Sequence, residues 1–509
     1  MELQTICKRI GTIATGFDGF DERPVDCDFM LPDYLPDITA VLKCMMKPVV
    51  QSHQISGDRI MADGTVYLQL LYLDEERRCV YSYEHTQPFT STFTVKDLGS
   101  SDVIRLSARV NYVNCRATSP RRVDVHGAFS VGLTVLTNGG CDAVVAAESE
   151  GLFTRSCMAS GSVICSQTEK TVSLNEVVDL GTAPAEALIR NEAVAVITEC
   201  RQMPEKAVVK GDVLLHTVYV SDRQSGTVCH VSNSIPFSQI LDVDGLTEEQ
   251  LCDCRVQVTQ CDARLMQDPG GENRLLSIAL KLAVTLECYA TETYDIVTDA
   301  YHTTYPLKLE SERVDVCQIQ SVRSDTVTVG ISAELPDGDI AEIVDLWCDP
   351  VTAAYCRDEG ESTIGGEVLI GMITRDSGGV LSYYERSAAY RSEWTEPCET
   401  MAVTVVPLDT AYTRNGTQLE LRLRLAVQCV CSSTRTHIAV VQMSADETVP
   451  CTRGDLLDDC CLKVCFASAG ESVWELARRE RTSPEALKAE NGLTQDVLEQ
   501  DTMLLIPLR

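Results

Sequence analysis

Gly64-Thr65-Val66-Tyr67-Leu68 is a glycine followed by apolar residues at alternate positions. The pattern returns twice, as Gly211-Asp212-Val213-Leu214-Leu215 and as Gly366-Glu367-Val368-Leu369-Ile370. A period of two puts Val66 and Leu68, and their counterparts, on one face of a strand. A second landmark follows each glycine at nearly constant distance: Phe89, Phe237 and Tyr390 lie 25, 26 and 24 residues on, in Pro88-Phe89, Pro236-Phe237 and Ala389-Tyr390. Each copy then shows a hairpin whose return arm covers 123–135, 275–288 or 419–431. The turns carry the breakers Ser119-Pro120, Pro269-Gly270-Gly271 and Asn415-Gly416. Upstream strands are expected at 25–29, 171–174 and 326–329.

The leading edges repeat more weakly. Leu31-Pro32-Asp33 and Pro36-Asp37-Ile38 precede a short apolar run, Ala40 to Leu42. Leu335-Pro336-Asp337 leads likewise to Asp339-Ile340 and Ile343, whereas the second copy has Ala183-Pro184-Ala185-Glu186 and lacks the Leu-Pro-Asp signature. This segment is expected to form one or two helical turns, with the Leu-Pro-Asp stretches as structural corners. The fold class is therefore mainly β: three antiparallel sandwich- or barrel-like units of about 130 to 150 residues. A period that long suggests beads of whole domains rather than stacked repeats. Expected boundaries are 1–155, a degenerate second unit at 156–310, 311–445, a linker at 446–461 and a terminal module at 462–509.

That module reads KVCFASAGESVWELARRERTSPEALKAENGLTQDVLEQDTMLLIPLR from Lys463 to Arg509. Val464 to Phe466 is a short strand, followed by a turn at Gly470-Glu471-Ser472. Ser472 and Glu475 have the spacing of a helix capping box, and Val473, Leu476 and Ala477 make one apolar stripe. Ser483-Pro484 starts a second helix, with Glu485 favouring its positive end. Asn491-Gly492 stops it, and Met503 to Ile506 returns as a strand that ends at Pro507.

The 509 residues hold 43 Lys and Arg against 75 Asp and Glu, a formal charge of −32. Such a surface repels nucleic acid and anionic membrane, so neither is expected as a partner. The first twenty residues lack the apolar core of a secretory leader, and no run approaches the ~18 apolar residues of a membrane span. Many of the 24 cysteines sit at apolar strand positions, among them Cys288, Cys429, Cys431 and Cys465, as small hydrophobes kept reduced. Cys252 and Cys254 share one strand face, as do Cys429 and Cys431. Adjacent Cys460 and Cys461 are a redox candidate. The chain shows no C-x-x-C pair, no histidine at zinc-ligand spacing, no phosphate-binding G-x-x-x-x-G-K-[ST] loop and no triad motif among its 7 histidines. No enzyme activity, metal or cofactor is expected.

Two resemblances add to this reading. The terminal module resembles LysM modules, small βααβ domains that bind N-acetylglucosamine polymers; their usual Gly-Asp-Thr turn is Gly470-Glu471-Ser472 here. The stretch from Leu31 to Ile38, Gly64-x-Val-x-Leu, the Pro-Phe pairs and Tyr294-Asp-Ile-Val-Thr-Asp-Ala-Tyr301 resemble SPOCS domains of clostridial sporulation proteins. SPOCS repeats ahead of a LysM module imply a non-enzymatic spore coat scaffold in the mother-cell cytoplasm, at the forespore surface. The implied partner resembles the coat ATPase SpoIVA, contacted through the LysM module.

By analogy with LysM grooves, the binding residues are expected in two turns: Gly470, Glu471, Ser472 and Val473, and Asn491, Gly492, Leu493 and Thr494. Trp474 is available to stack on a ligand. The plainer alternative makes Ser472 and Asn491 helix caps and Trp474 a half-buried helix residue. Asp299 and Tyr301 are candidates for a contact surface or for cross-strand pairing. Two other functions compete: a wall or cortex protein that binds N-acetylglucosamine polymers, and a hydrolase targeted by a LysM tail.

Overall fold

The computed structural model describes residues 3–99, 101–336, 339–358, 361–395, 398–446, 448 and 462–507. Asp337, Cys460, Cys461 and nearly all of the expected linker lie outside the described residues.

The first unit is β1 (Gln4–Met30), β2 (Ala40–Ser56), β3 (Arg59–Leu73), β4 (Val80–Thr94), β5 (Val103–Ser119) and β6 (Arg122–Glu148). The second is β7 (Leu152–Asp179), β8 (Ala187–Met203), β9 (Lys206–Asp222), β10 (Thr227–Asp242), β11 (Leu251–Met266) and β12 (Leu275–His302). Each makes two antiparallel sheets, ordered β2-β3-β4 with β1-β6-β5, and β10-β9-β8 with β11-β12-β7. The third comprises β13 (Leu307–Glu334), β14 (Glu342–Pro350), β15 (Ala354–Asp358), β16 (Glu361–Arg375), β17 (Leu381–Glu393), β18 (Thr400–Asn415) and β19 (Gln418–Ala445). Its sheets are β13-β19-β18 and a four-stranded one centred on β16. In every unit the apolar faces of the two sheets meet in one core.

The repeated glycine and aromatic residue are cross-strand partners in all three units: Gly64 with Phe89, Gly211 with Phe237, Gly366 with Tyr390. A Cβ on Gly64 or Gly211 would stand 2.4 or 2.6 Å from the ring of its partner, and closer still to a backbone oxygen of the neighbouring strand. The ring fills the space the glycine leaves, which pins the register. Pro88 and Pro236 sit on the edge strands β4 and β10, where a missing N–H interrupts no ladder.

The expected helix after Leu31 is not formed, and none is formed among the described residues after Leu335. Ala40 opens β2, and Leu31 to Thr39 is an irregular corner wrapped on Arg121, whose guanidinium donates to the Leu35 carbonyl (3.1 Å) and Asp37 (2.9 Å). Proline at 32 and 36 disfavours a helical residue before each, so the run cannot nucleate a turn. The second unit keeps this corner without the Leu-Pro-Asp signature. The N–H of Leu31, Leu180 and Leu335 donates in each case to the hairpin turn, at Arg121, Arg274 and Thr417 respectively (2.8 Å each).

The long strands were only half foreseen. β1, β6, β7, β12, β13 and β19 run 27 or 28 residues. Each pair shifts register mid-length, leaving Gly16, Cys165 or Gln320 as a bulge. A bulge redirects a strand. Beyond it each pair leaves its unit as a two-stranded ribbon, and the three ribbons pack against one another. Ile10, Ala143, Ala159, Tyr294, Ile296, Val314, Val316 and Ala439 form their common core. Independent beads are thus ruled out. The expected boundaries at 155/156 and 310/311 fall inside β7 and β13, because the chain passes between units at the turns before Leu152 and Leu307.

The ribbons meet closely. A Cβ on Gly161 would lie 2.5 Å from the Gly11 carbonyl oxygen and 2.7 Å from Val316. Hydroxyls satisfy the backbone there: the Cys317 N–H donates to Thr12 Oγ1 (2.8 Å), and the Ile319 N–H to Ser162 Oγ (2.9 Å).

Polar junctions complete the assembly. Arg190 of β8 makes a two-pronged contact with buried Asp345 of β14 (3.1 and 3.3 Å) and lies over the Trp347 ring. Gln69 donates to the Ile189 carbonyl (2.8 Å), and Lys43 pairs with Glu385. Arg105 of β5 forks onto buried Glu287 of β12 (2.6 and 3.2 Å) and reaches the Tyr289 hydroxyl (3.0 Å). Arg255 and Asp253 extend this network, and Gln428 of β19 donates to Asp253 and to the Cys254 carbonyl (2.7 Å), so all three units contribute. Burial alone would push the Glu287 carboxyl up. The Arg105 hydrogen bonds and the charges of Arg255 and Arg105 outweigh it, holding the carboxyl below its ordinary range.

Glu287→Gln strands two guanidinium groups beside one remaining carboxylate. It is expected to cost about 3 kcal/mol in chemical denaturation at pH 7. Because the folded value is depressed, this stability is present above the unfolded-state value of roughly 4.3 and is lost as pH falls through the folded one. The difference from wild type should therefore shrink below about pH 4. In the same assay Gly161→Val is expected to destabilise by about 3 kcal/mol through overpacking. Gly330→Ala, whose Cβ meets open space, is expected to change stability by less than about 1 kcal/mol.

Candidate protein-docking site

The terminal module is β20 (Leu462–Ala467), α1 (Val473–Glu480), α2 (Pro484–Asn491) and β21 (Thr502–Pro507), with β20 and β21 antiparallel. Ser472 caps α1, its hydroxyl accepting from the Glu475 N–H (3.1 Å). Ser483 caps α2, accepting from the Ala486 N–H (2.8 Å), and Gly492 closes α2 at φ 64°. Val473, Leu476 and Ala477 are buried with Leu487, Leu504 and Ile506.

The structure places the candidate residues as follows. Gly470 donates its N–H to the Leu498 carbonyl and Val473 donates to Asp496 (2.8 Å each), while Leu498 donates to the Glu471 carbonyl (3.0 Å). The Glu471 carboxylate accepts from the Ser468 N–H (2.9 Å) and pairs with Arg479 (2.8 Å). These two contacts hold its pKa below the ordinary range, against slight desolvation. The amides of Gly470, Glu471 and Val473, offered as ligand donors, are thus engaged within the module. Asn491 does more than end a helix. Its carboxamide donates to the Leu505 carbonyl (2.7 Å) and accepts from the Leu505 N–H (2.6 Å), tying α2 to β21. Leu493 donates its N–H to the Lys488 carbonyl (3.0 Å), completing the helix stop. Gly492 and Thr494 lie in the exposed turn that follows.

Trp474 faces the second unit. Its indole N–H donates to Asp299 (2.8 Å), its ring meets Tyr301 edge-on at 5.0 Å, and the Arg155 guanidinium lies over it at 5.5 Å. Arg478 also donates to Asp299 (2.9 and 3.1 Å), and the Tyr301 hydroxyl donates to the Thr482 carbonyl (2.6 Å). Asp299 and Tyr301 are therefore a contact surface, with the chain's own module as the occupant. No local signal pairs residues 299 and 474.

Sequence reasoning missed the other side of the module. In the β20/β21 register Leu462 faces Pro507, Val464 faces Leu505 and Phe466 faces Met503. These six apolar side chains share the sheet face turned away from the helices. Phe466 is 78% exposed, Met503 59% and Val464 52%. Exposed apolar surface gathered in one patch marks a contact site. The alternation of Leu462, Val464 and Phe466 is visible in sequence, but which of two faces the helices cover is not.

Two further features were not foreseen. A cavity of about 990 Å³ opens where the three units meet, walled by the edge strands β2, β5, β8, β11 and β18. Arg105, Arg255 and Arg424 line it together with Glu169, Asp212, Glu287 and Asp325, so both signs of charge meet there. Asp26, Asp124 and His126 converge on the exposed side of β1 and β6, where each histidine ring nitrogen lies 3.1 Å from one carboxylate. Among the described residues no helix is long and apolar enough to cross a membrane.

The family model described as SipL, SPOCS domain matches residues 37–118 and 184–266. The chain carries two segments that match the SPOCS domain. The matches cover β2 to β5 and the corresponding β8 to β11, including both glycine–phenylalanine pairs, and they place the chain with sporulation-related proteins. One of the two matched copies is the second, which lacks the Leu-Pro-Asp signature and reads as degenerate. No curated protein and no solved structure matches the chain.

Asp299→Ala removes the partner of both Trp474 and Arg478. It is expected to weaken docking of the module by about 2 kcal/mol. Amide exchange should accelerate roughly 30-fold in α1 and around residue 301, with no change in β16 of the third unit.

Proposed function

We propose that this chain is a non-enzymatic docking scaffold of the spore envelope. Its SPOCS body, including a third, diverged copy at 311–445, holds a LysM-type module that binds a protein of the coat. The reading places it in the mother-cell cytoplasm at the forespore surface, with a partner resembling the coat ATPase SpoIVA. The observation that carries it is the bare apolar face of Leu462, Val464, Phe466, Met503, Leu505 and Pro507. A glycan groove needs free polar donors. Here the amides of Gly470 and Val473 are already bonded, and the unsatisfied surface is hydrophobic, which suits a protein partner. The face is about 20 Å long by the rise of six strand residues, the span of one amphipathic helix of about 14 residues.

The test is calorimetry of the full chain with the coat ATPase of the same organism and, separately, with N-acetylglucosamine oligomers. The ATPase alone is expected to bind. Phe466→Asp should weaken that binding about 30-fold or more, as loss of a central anchor of about 2 kcal/mol would, with unchanged circular dichroism. Binding of the oligomers alone would instead support a wall or cortex function.

A further inference from the structure

The second unit gathers four thiols at the seam where its two sheets close. Cys252 of β11 and Cys288 of β12 are direct cross-strand partners, with their sulfurs 3.2 Å apart. Cys254 lies two residues along β11, on the same face, and Cys200 of β8 on the opposite sheet packs in the same core beside it. Partners across an antiparallel ladder have Cα atoms about 4.5 or 5.5 Å apart, inside the range a disulfide spans. The Cys252–Cys288 pair therefore needs no backbone movement to close, and Cys200 and Cys254 lie where β8 and β11 pack together. All four are free thiols, and burial as small hydrophobes explains their apolar setting but not their arrangement in two touching pairs. Cys288 and Cys254 are buried, whereas Cys252 and Cys200 are half-buried, so each pair has one residue partly open to solvent. The thiol of Cys252, donated to Cys288, eases ionisation of Cys288 against the opposing effect of burial, and the Ser166 hydroxyl assists. Cys288 is thereby the more readily ionised member of the pair, and Cys252 the member nearer solvent.

We propose that Cys252–Cys288 and Cys200–Cys254 are a redox-modification site, converted by a peroxide into two intrachain disulfides that staple the second unit. In each pair one thiolate attacks the O–O bond of hydrogen peroxide. It becomes a sulfenic acid, and the departing hydroxide takes a proton and leaves as water. The second sulfur displaces the sulfenic hydroxyl as another water and forms the S–S bond. Two thiols lose two electrons, and one peroxide is reduced to two waters. The Cys200–Cys254 bond would join β8 to β11, edge strands of different sheets that share no ladder. It would therefore fix the wall of the junction where Asp253 meets Gln428.

The test uses the full, reduced chain treated with one equivalent of hydrogen peroxide per pair. Remaining thiols are alkylated under denaturing conditions, and non-reduced peptides are read by mass spectrometry. Expected are cross-linked peptides joining Cys252 to Cys288 and Cys200 to Cys254, each two hydrogens lighter than the free pair and separated again by reductant. In Cys288→Ala the half-buried Cys252 should stop at the sulfenic acid, trapped by a cyclic dione, while Cys200–Cys254 still forms. Recovery of all four as alkylated thiols, with oxidation confined to exposed Cys7, Cys165 and Cys356, would overturn the proposal. So would a different pairing among the four.

Discussion

Three β ribbons can share one axis only if their backbones come nearly into contact, and the rest of this architecture depends on that contact. Gly11 and Gly161 permit it, and Ala143, Ala159 and Ala439 keep the axis narrow. Every backbone group brought so close must still be hydrogen-bonded. Thr12 and Ser162 provide acceptors, and the Tyr294 hydroxyl accepts from the Gly11 N–H at 3.1 Å. Once the ribbons are fixed, the two-sheet bodies at their far ends are placed side by side, and the second ribbon offers its tip to the terminal module.

Charge sets a second constraint. Acidic residues exceed basic ones by 32, so the surface repels itself and cohesion cannot come from general attraction. The cations are used where units meet. Arg105 joins the first unit to the second, Arg190 the second to the third, Lys43 the first to the third, and Arg478 the module to the second unit. Arg105 and Arg190 sit against buried carboxylates, where the pairing is strong because water is excluded and costly to break for the same reason. Carboxamides do similar work without charge. Gln167 bonds both the N–H and the C=O of Ile104, and Asn138 does the same for Ile164, each standing in for a strand at an exposed edge. Asn491 repeats the device inside the module.

The module is held from one side and open on the other. Its α1 face is committed to Asp299 and Tyr301, its turns are closed on themselves, and the outer face of β20 and β21 is left bare. A body that fixes the orientation of such a face presents it in one direction, as the proposed docking role requires.

Strand composition, the glycine–aromatic spacing and the helix caps were legible because each is set by near neighbours: period two by the pleat, Gly492 by a positive φ, Ser472 and Ser483 by unpaired amides of a first turn. The ribbon halves of β1, β7 and β13 were not legible, because a bulge at Gly16, Cys165 or Gln320 shifts the alternation by one and breaks the pattern that announces a strand. The corner after Leu31 was misread as helix because apolar spacing over so few residues fits both. Of the candidate site, the turns were found but not the apolar face, since period two shows that two faces exist and not which one is covered. The sequence by itself determined a mainly β chain with recurring registers and a capped βααβ end. Only the tertiary structure decided that the units share one axis, that Trp474 points inward to Asp299 and that Phe466 points outward, because those outcomes rest on contacts between residues more than a hundred positions apart or on the choice between two equally apolar faces.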